Sequence, residues 1–494
     1  MSDIASWVTA KDLRHRLDAD FYRPEYLEFD HRAEARGLKV RQVVEISSLV
    51  TDGTHKTPSY VDSGVPFLSA KNIRNGFVDA GSGHKYVSAA EFDQLERWNC
   101  APRPDDVLVA KSGSIGSAGL AKGAYDRFTV FESAAIIRPS GVSPAYLSAY
   151  LNSRLGQLQI RRNSKGAVIR HLHLEDLREV EVPLPDRRIQ DYIGAKVELA
   201  ELCRTASSRS WAAATGLLGT ALGVPLTPDT FEVESAGNVS GSGYQVTSLC
   251  PVVAVVSPER LVGAIGAQFF TPRRAKAILV IEQSGLAAKR LSALADRFTK
   301  RVSAEEVQAR SLSYVGLAQV DSFTGFVSPA TDEQPSSSSA CFGARDILFS
   351  KLRPYLNKVA ICPEYLEEVA GSTELVTYRA KPGVDPYYVF FVLKSPLVLN
   401  QVIDITSGST HPRVDPDLID DVLVPMAEAS VQKRIGQLAR TALELMRRAT
   451  LLVEEAKANV EALIEGTLDV QAILAGTLKA PTADDIPELA EDGA

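Results

Sequence analysis

Gln190-Asp191-Tyr192-Ile193-Gly194 and Gln432-Lys433-Arg434-Ile435-Gly436 stand 242 positions apart, each opening a long run with helical periodicity. The same offset relates Gly166 to Gly408 and Pro183 to Pro425. Working outward, Asp106-Val107-Leu108-Val109-Ala110-Lys111 matches Asp346-Ile347-Leu348-Phe349-Ser350-Lys351. Pro66 to Val78 and Ser313 to Val327 both end in Gly-Phe-Val, and Phe21-Tyr22-Arg23-Pro24 matches Phe269-Phe270-Thr271-Pro272. Matches in one order through both halves predict a tandem duplication.

Each half reads as a mixed α/β module followed by a long helix, an α+β chain overall. Strand candidates are short and β-branched or aromatic, such as Phe128 to Ile137 and Val376 to Tyr378. The expected boundaries are a first module over 1–185, a long helix over 186–233, and a Gly/Ser-rich linker with the entry to the second half over 234–267. A second module over 268–426, a second long helix over 427–466 and an acidic, solvated tail over 467–494 follow.

In the second helix Ile435, Leu438, Ala442, Leu445, Ala449, Leu452 and Ala456 alternate spacings of three and four, and Leu463 keeps the register. That is a heptad seam. In the first helix Ile193, Val197, Ala200, Leu217 and Ala221 supply the apolar side. Antiparallel pairing of the two as a coiled coil is one reading, and ordinary core helices the other. Asn459 lies in the seam, where it either fixes register or is solvated.

A chain of 494 residues with 45% hydrophobic and 23% charged residues is an ordinary globular protein of several domains. No apolar run reaches the roughly 20 residues that span a bilayer, and Met1 to Lys11 lacks a signal-peptide layout, so the expected location is the cytoplasm. The five cysteines form no C-x-x-C pair and only His171 and His173 stand close among the seven histidines, which predicts neither disulfides nor metal. A net charge of −7 counts against nucleic-acid binding by the chain as a whole and leaves room for a local basic surface.

Catalytic signatures are missing. There is no G-x-x-x-x-G-K-[ST], no H-E-x-x-H, no G-x-S-x-G and no Asn-Pro-Pro-aromatic segment. Asp105-Asp106 and Asp420-Asp421 are adjacent in sequence, so in a strand their carboxylates face opposite sides; they read as solvated turn residues. No catalytic residue is assigned. Asp52-Gly53-Thr54-His55-Lys56-Thr57-Pro58-Ser59-Tyr60 is polar enough to meet base edges and phosphates, and equally rich in turn formers.

That segment, with Gly64-Val65-Pro66-Phe67-Leu68 and Ile73-Arg74-Asn75-Gly76, resembles the specificity subunit of type I restriction-modification systems. Asp106-Val107-Leu108-Val109 running into Gly113-Ser114-Ile115-Gly116 does so too, as does Ser350-Lys351-Leu352-Arg353-Pro354-Tyr355-Leu356-Asn357-Lys358-Val359-Ala360. The resemblance spans roughly Asp20 to Ile464. It implies two target-recognition domains that read the two parts of a split DNA site, held apart by paired long helices whose length sets the spacer. It also implies a non-catalytic role in phage defence. The partners would be duplex DNA, DNA methyltransferase subunits (two are expected) and, in full systems, a translocating nuclease. S-adenosylmethionine would sit on the methyltransferase alone. The second half lacks the Asp-Gly-Thr-His loop, so the halves are expected to read different sequences.

On this reading the DNA contacts of the first half are Thr54, His55, Lys56, Lys71, Asn72, Arg74, Lys111 and Ser112, then Lys165, Arg170 and His171. Those of the second half are Lys351, Arg353, Tyr355, Asn357 and Lys358, then Ser409, Thr410, His411 and Arg413. Lysine and arginine suit phosphates; asparagine, histidine and threonine suit bases. Each is otherwise a solvated surface residue. Rival readings are a reader in a modification-only or other methylation-associated defence system, a scaffold that binds only proteins, and an enzyme with an unfamiliar site.

Overall fold

Val107-Leu108-Val109-Ala110 and Ile347-Leu348-Phe349-Ser350 are buried at every position. A short apolar run without alternation suits a strand covered on both faces, and both occupy interior places in four-stranded antiparallel sheets. In the first half β1 (Ser47–Asp52), β2 (Val107–Ala110), β3 (Ala118–Leu120) and β4 (Ala134–Pro139) lie in the order β1-β4-β2-β3. In the second, β5 (Ala295–Phe298), β6 (Ile347–Ser350), β7 (Val359–Ile361) and β8 (Leu375–Ala380) lie in the order β5-β8-β6-β7. The computed structural model describes residues 8, 13, 17–74, 76–78, 85–123, 125–164, 171–231, 238–241, 244–247, 253–257, 266–330 and 335–491. The chain divides into one unit of Met1–Ala206 with Leu445–Ala494 and another of Ser207–Glu444.

The duplication extends to individual buried hydrogen bonds. The Tyr146 hydroxyl donates to the Pro183 carbonyl at 2.7 Å, and the Tyr388 hydroxyl to that of Pro425 at 2.5 Å. Gln190 Nε2 donates to the Pro185 carbonyl as Gln432 Nε2 does to that of Ala427. Arg138 grips Asp106 through Nε and Nη2 at 2.9 and 2.8 Å, and Arg379 grips Asp346 through the same atoms, both at 2.8 Å. Asp106 Oδ2 also accepts from the Arg103 amide, and Asp346 Oδ2 from that of Gly343. Asp106 is therefore no solvated turn residue: it is 1% exposed and ties the turn before a central strand to the neighbouring strand. Asp420 is likewise engaged, accepting from the Tyr378 hydroxyl at 2.8 Å.

Two long helices, α1 (Arg187–Leu222, 36 residues) and α2 (Ala429–Glu465, 37 residues), are each about 55 Å long at 1.5 Å per residue. They pair antiparallel. In the first unit Leu199, Ala200, Cys203 and Ala206 of α1 pack with Leu445, Ala449, Leu452 and Val453 of α2. Asn459 accepts from the Lys196 ammonium at 2.8 Å, so the polar seam residue is used and not merely solvated. In the second unit Ala214 and Leu218 of α1 share a core with Ile435 and Ala439 of α2, and the Ser207 hydroxyl donates to the Ala442 carbonyl at 2.7 Å. Leu217 and Leu438 are only half-buried there, and the inner face of the α1 end runs through Ala214, Leu218 and Leu222.

Gly194 and Gly436, equivalent by the 242 offset, admit the preceding helix. A Cβ at Gly194 would lie 3.1 Å from Ser143 Oγ, and one at Gly436 would lie 2.2 Å from Asp385 Oδ2. Both partners are helix N-caps, so glycine is needed where a cap meets a helix flank.

Two expectations need correction. Within the stretch Glu234 to Gly243, read as flexible linker, Asn238–Gly241 is a strand, paired antiparallel with Tyr244–Thr247, which in turn pairs Val253–Val256 in the entry to the second half. The acidic tail is not simply solvated: Val470–Leu474 and Pro487–Glu491 are helical, and Ile473 and Ile486 are buried in the first unit's cores. Leu468, Val470, Leu474 and Leu489 pack beside them, so several apolar side chains share the anchoring; burying one isoleucine contributes about 1.5–3 kcal/mol.

The duplicated ion pairs differ in cover: the side chain of Arg138 is 18% exposed and that of Arg379 is 55% exposed. Asp106→Ala is expected to lower unfolding stability by roughly 3 kcal/mol, the cost of stranding a buried partner. Asp346→Ala should cost distinctly less beyond its lost turn contact, because Arg379 resolvates. Denaturant melts of the two variants check the order.

Candidate nucleic-acid interface

The end of each central strand is satisfied by two distant segments. The Lys111 amide donates to the Ser133 carbonyl, and its own carbonyl accepts from Leu172. The Lys351 amide donates to the Glu374 carbonyl, and its own carbonyl accepts from Val414. A buried strand end leaves donors and acceptors that must be paired, and here pairing draws in the segments that carry Leu172 and Val414. In the second half this brings together the two groups proposed from sequence; in the first, among the described residues, it brings His171, beside Leu172, to the end of the strand.

The second half shows this most fully. Beyond Lys351, the Arg353 amide donates to the Pro412 carbonyl at 2.7 Å, Leu352 bridges Arg413, and Arg353 Nη2 points at the Thr410 carbonyl at 3.5 Å. The strands Thr406–Ser407 and Arg413–Val414 form a hairpin whose tip exposes Ser409, Thr410 and His411. Arg353 and Asn357 both adopt left-handed backbone, with φ of 47° and 48°, around the short Pro354–Leu356 turn. Among the described residues neither Lys351 nor Arg353 has a carboxylate partner, and Arg353 Nε is buried without an acceptor. Arg413, in contrast, is neutralised by Glu374 at 2.9 Å. Asn357 Nδ2 is committed to the Lys394 carbonyl and Lys358 Nζ to that of Val320, so these two hold the loop and do not face outward.

The first half places a charge cluster at the equivalent point. Lys111 Nζ lies 2.6 Å from Asp52 Oδ2, and its side chain is only 16% exposed. His55 sits between Asp52, 3.3 Å from Nε2, and Glu132, 2.5 Å from Nδ1. Lys111 and Lys351 thus share a backbone role and differ in side-chain fate. The cause is one position: Thr51 pairs Ile136 in the first sheet, and Phe298 pairs Thr377 in the second, so Thr299 stands where Asp52 does. Thr54 is buried, and its Oγ1 accepts from the Lys56 amide, locking the turn. Lys56 is exposed with its ammonium 5.8 Å from the Trp98 ring centre.

Of the remaining expected contacts, Lys71 is exposed and Arg74 half-buried, whereas Asn72 is buried and accepts from the Ser69 amide, an N-terminal capping role. Ser112 is half-buried and His171 exposed. Lys165 and Arg170, with Gly166, lie outside the described residues. Asp52 and Glu132 escaped selection because acidic groups carry no signal for DNA contact. Lys394 escaped because it ends an apolar helix, Pro386–Lys394, with nothing in its own segment to mark it.

Lys394 is 2% exposed and donates to the carbonyls of Asn357 at 2.8 Å and Ser322 at 2.9 Å. Burial pushes its ammonium down to about 7; Asp321 opposes this, and Lys358 adds to it. The unfolded chain keeps that proton up to the ordinary lysine range near 10.4. Between about pH 7 and pH 10 the unfolded state therefore binds more protons, and stability of the second unit should rise with pH. Lys394→Met is expected to be less stable and to lose that rise; equal pH slopes in wild type and variant by chemical denaturation would contradict it.

No protein-family model and no curated protein matches the chain. Among solved structures it is similar to a type I restriction-modification S subunit from M. genitalium, with 12% identity and a TM-score of 0.39 over 87% of this chain and 96% of that one. A structure described as the basis of complex assembly and conformational transition of the type I R-M system gives 13% identity and a TM-score of 0.28, over 87% of this chain and 98% of that one. The HsdS subunit from Thermoanaerobacter tengcongensis gives 14% identity and a TM-score of 0.27, over 87% and 97%.

Proposed function

We propose that this chain is a non-catalytic DNA-reading subunit that directs a DNA methyltransferase to a bipartite, asymmetric site, with a translocating nuclease as a further partner. The observation that carries the reading is a strand-end scaffold built twice and finished differently. Identical backbone bonding at Lys111 and Lys351 supports two equivalent surfaces, one bearing an Asp52–Lys111–His55–Glu132 cluster, the other two cations, Lys351 and Arg353, without carboxylate partners among the described residues. Two copies of one reader with unlike side chains suit two unlike half-sites, and paired helices of fixed length suit a fixed spacer. The motif resemblance supplies the partner class.

Within this reading Lys351, Arg353 and Lys56 hold phosphates, while His55, Thr410 and His411 meet base edges. A scaffold that binds only proteins is favoured by one fact, the net charge of −7; electrophoretic retardation of duplex DNA by the chain with its methyltransferase separates the two. Methylation mapping of the source genome with and without the gene tests the whole reading. Loss of methylation at one bipartite, asymmetric motif is expected, and an unchanged methylome would overturn it.

Each phosphate contact contributes about 0.9 to the slope of log affinity against log salt. Lys351→Ala and Arg353→Ala should each weaken binding and flatten that slope by about one contact. Lys111→Ala should leave the slope nearly unchanged, because its ammonium already belongs to Asp52. Salt titrations of the three variants decide this, and unchanged slopes for both second-half variants count against the loop.

A further inference from the structure

The second-half loop carries more than charge. Tyr355 and Leu356, at the tip of the left-handed turn, are 49% and 41% exposed, and Phe323, on the Asp321–Phe326 turn, is 38% exposed. Single exposed apolar side chains are ordinary, but two adjacent ones at one loop tip, with a third on the loop fastened to it, concentrate apolar surface at one place.

The two loops are fastened together beneath those tips. Lys394 Nζ donates to Asn357 in one loop and Ser322 in the other; Lys358 Nζ donates to Val320; and Asn357 Nδ2 returns a bond to the Lys394 carbonyl. Asp321 Oδ1 accepts from the amides of Phe323 and Thr324 and from the Thr324 hydroxyl, closing its turn. Gly325, at φ +72°, lets that turn approach the strand carrying Val359, whose carbonyl oxygen would lie 2.5 Å from any Cβ there. Non-glycine residues in left-handed backbone persist only when the surroundings over-determine them, and this latch over-determines Arg353 and Asn357. The backbone beneath the apolar tips is therefore held in one conformation, and Lys351 and Arg353 in the same loop lack carboxylate partners among the described residues.

Apolar side chains presented on a held backbone and flanked by cations fit one occupant well: duplex DNA, whose phosphates meet the cations while an aromatic or leucine side chain enters between base steps. Resting on the DNA-reading function above, we propose that Tyr355 and Leu356 form a wedge that partly unstacks one base step in the half-site read by the second unit, with Lys394 as the buried residue that positions it. Sequence preference at that step would then come from its ease of unstacking, which favours flexible pyrimidine–purine steps, in addition to direct hydrogen bonds.

The test uses the full chain with its methyltransferase and duplexes carrying the mapped motif, with 2-aminopurine placed at each position in turn. Wild type should bind and show a several-fold fluorescence rise at one step besides any rise at the methylated base. The double variant Tyr355→Ala, Leu356→Ala should still retard the duplex, with affinity reduced about tenfold or less, and lose only that rise. Tyr355→Phe should keep it, and Lys351→Ala should weaken binding while keeping it. The wedge is overturned if wild type binds with no rise away from the methylated base, or if the double variant retains the rise. Failure of wild type to bind any duplex bearing the motif would instead overturn the DNA-reading function itself.

Discussion

Each half of the molecule depends on how a buried central strand ends. Inside the sheet, β2 and β6 find partners on both sides, but the lysine that follows each has an amide and a carbonyl still to satisfy. An unpaired buried backbone group costs about 1–3 kcal/mol. The chain meets this by bringing back a segment some 60 residues downstream: Leu172 to Lys111, Val414 to Lys351. Once those bonds exist, the loop after the strand and the hairpin before the long helix must lie side by side. The candidate interface is a consequence of that pairing, and its recurrence in both halves follows from the duplication.

On this frame the two halves diverge through single side chains. Asp52 clamps Lys111 and draws His55 and Glu132 into one cluster, whereas Thr299 at the corresponding place leaves Lys351 without a carboxylate partner among the described residues. The structural work that Asp52 performs in the first half is done in the second by Lys394 and Lys358 acting on carbonyl oxygens. One loop is fixed by opposite charges and the other by ammonium donors, so the first surface is charge-compensated and the second is cationic.

Periodic and repeated features were legible in sequence. The heptad spacing from Ile435 to Ala456 marks the residues that pack against α1, and the 242 offset marks pairs such as Pro183 and Pro425 that prove to accept equivalent tyrosine hydroxyls. Features set by a partner distant in sequence were not. Asp106 looks like a turn carboxylate until Arg138 is placed beside it, and Lys111 looks like a presented cation until Asp52, 59 positions earlier, is seen to hold it. The docking of the tail was not legible because its charge dominates its composition, whereas the few apolar side chains that pack, Ile473 and Ile486 with Leu474 and Leu489 beside them, find their partners far away in sequence. Leu217 stands one position before the strict heptad that runs from Ile193 and Val197 to Ala214 and Leu218, so it lies beside the seam and is only half-buried.

That strict seam bears on what the paired helices can do. A seam kept by small residues, Ala200, Ala206, Ala439, Ala442, Ala449 and Ala456, lets the helices approach closely and leaves little side-chain freedom. The polar contacts within the seam, Lys196 to Asn459 and Ser207 to the Ala442 carbonyl, each break if one helix slides along the other. A shift by one heptad would put Ile189 or Cys203 opposite Asn459 in place of Lys196. Length alone therefore does not fix the pair: small residues let the helices approach closely, and the Lys196–Asn459 contact selects the register.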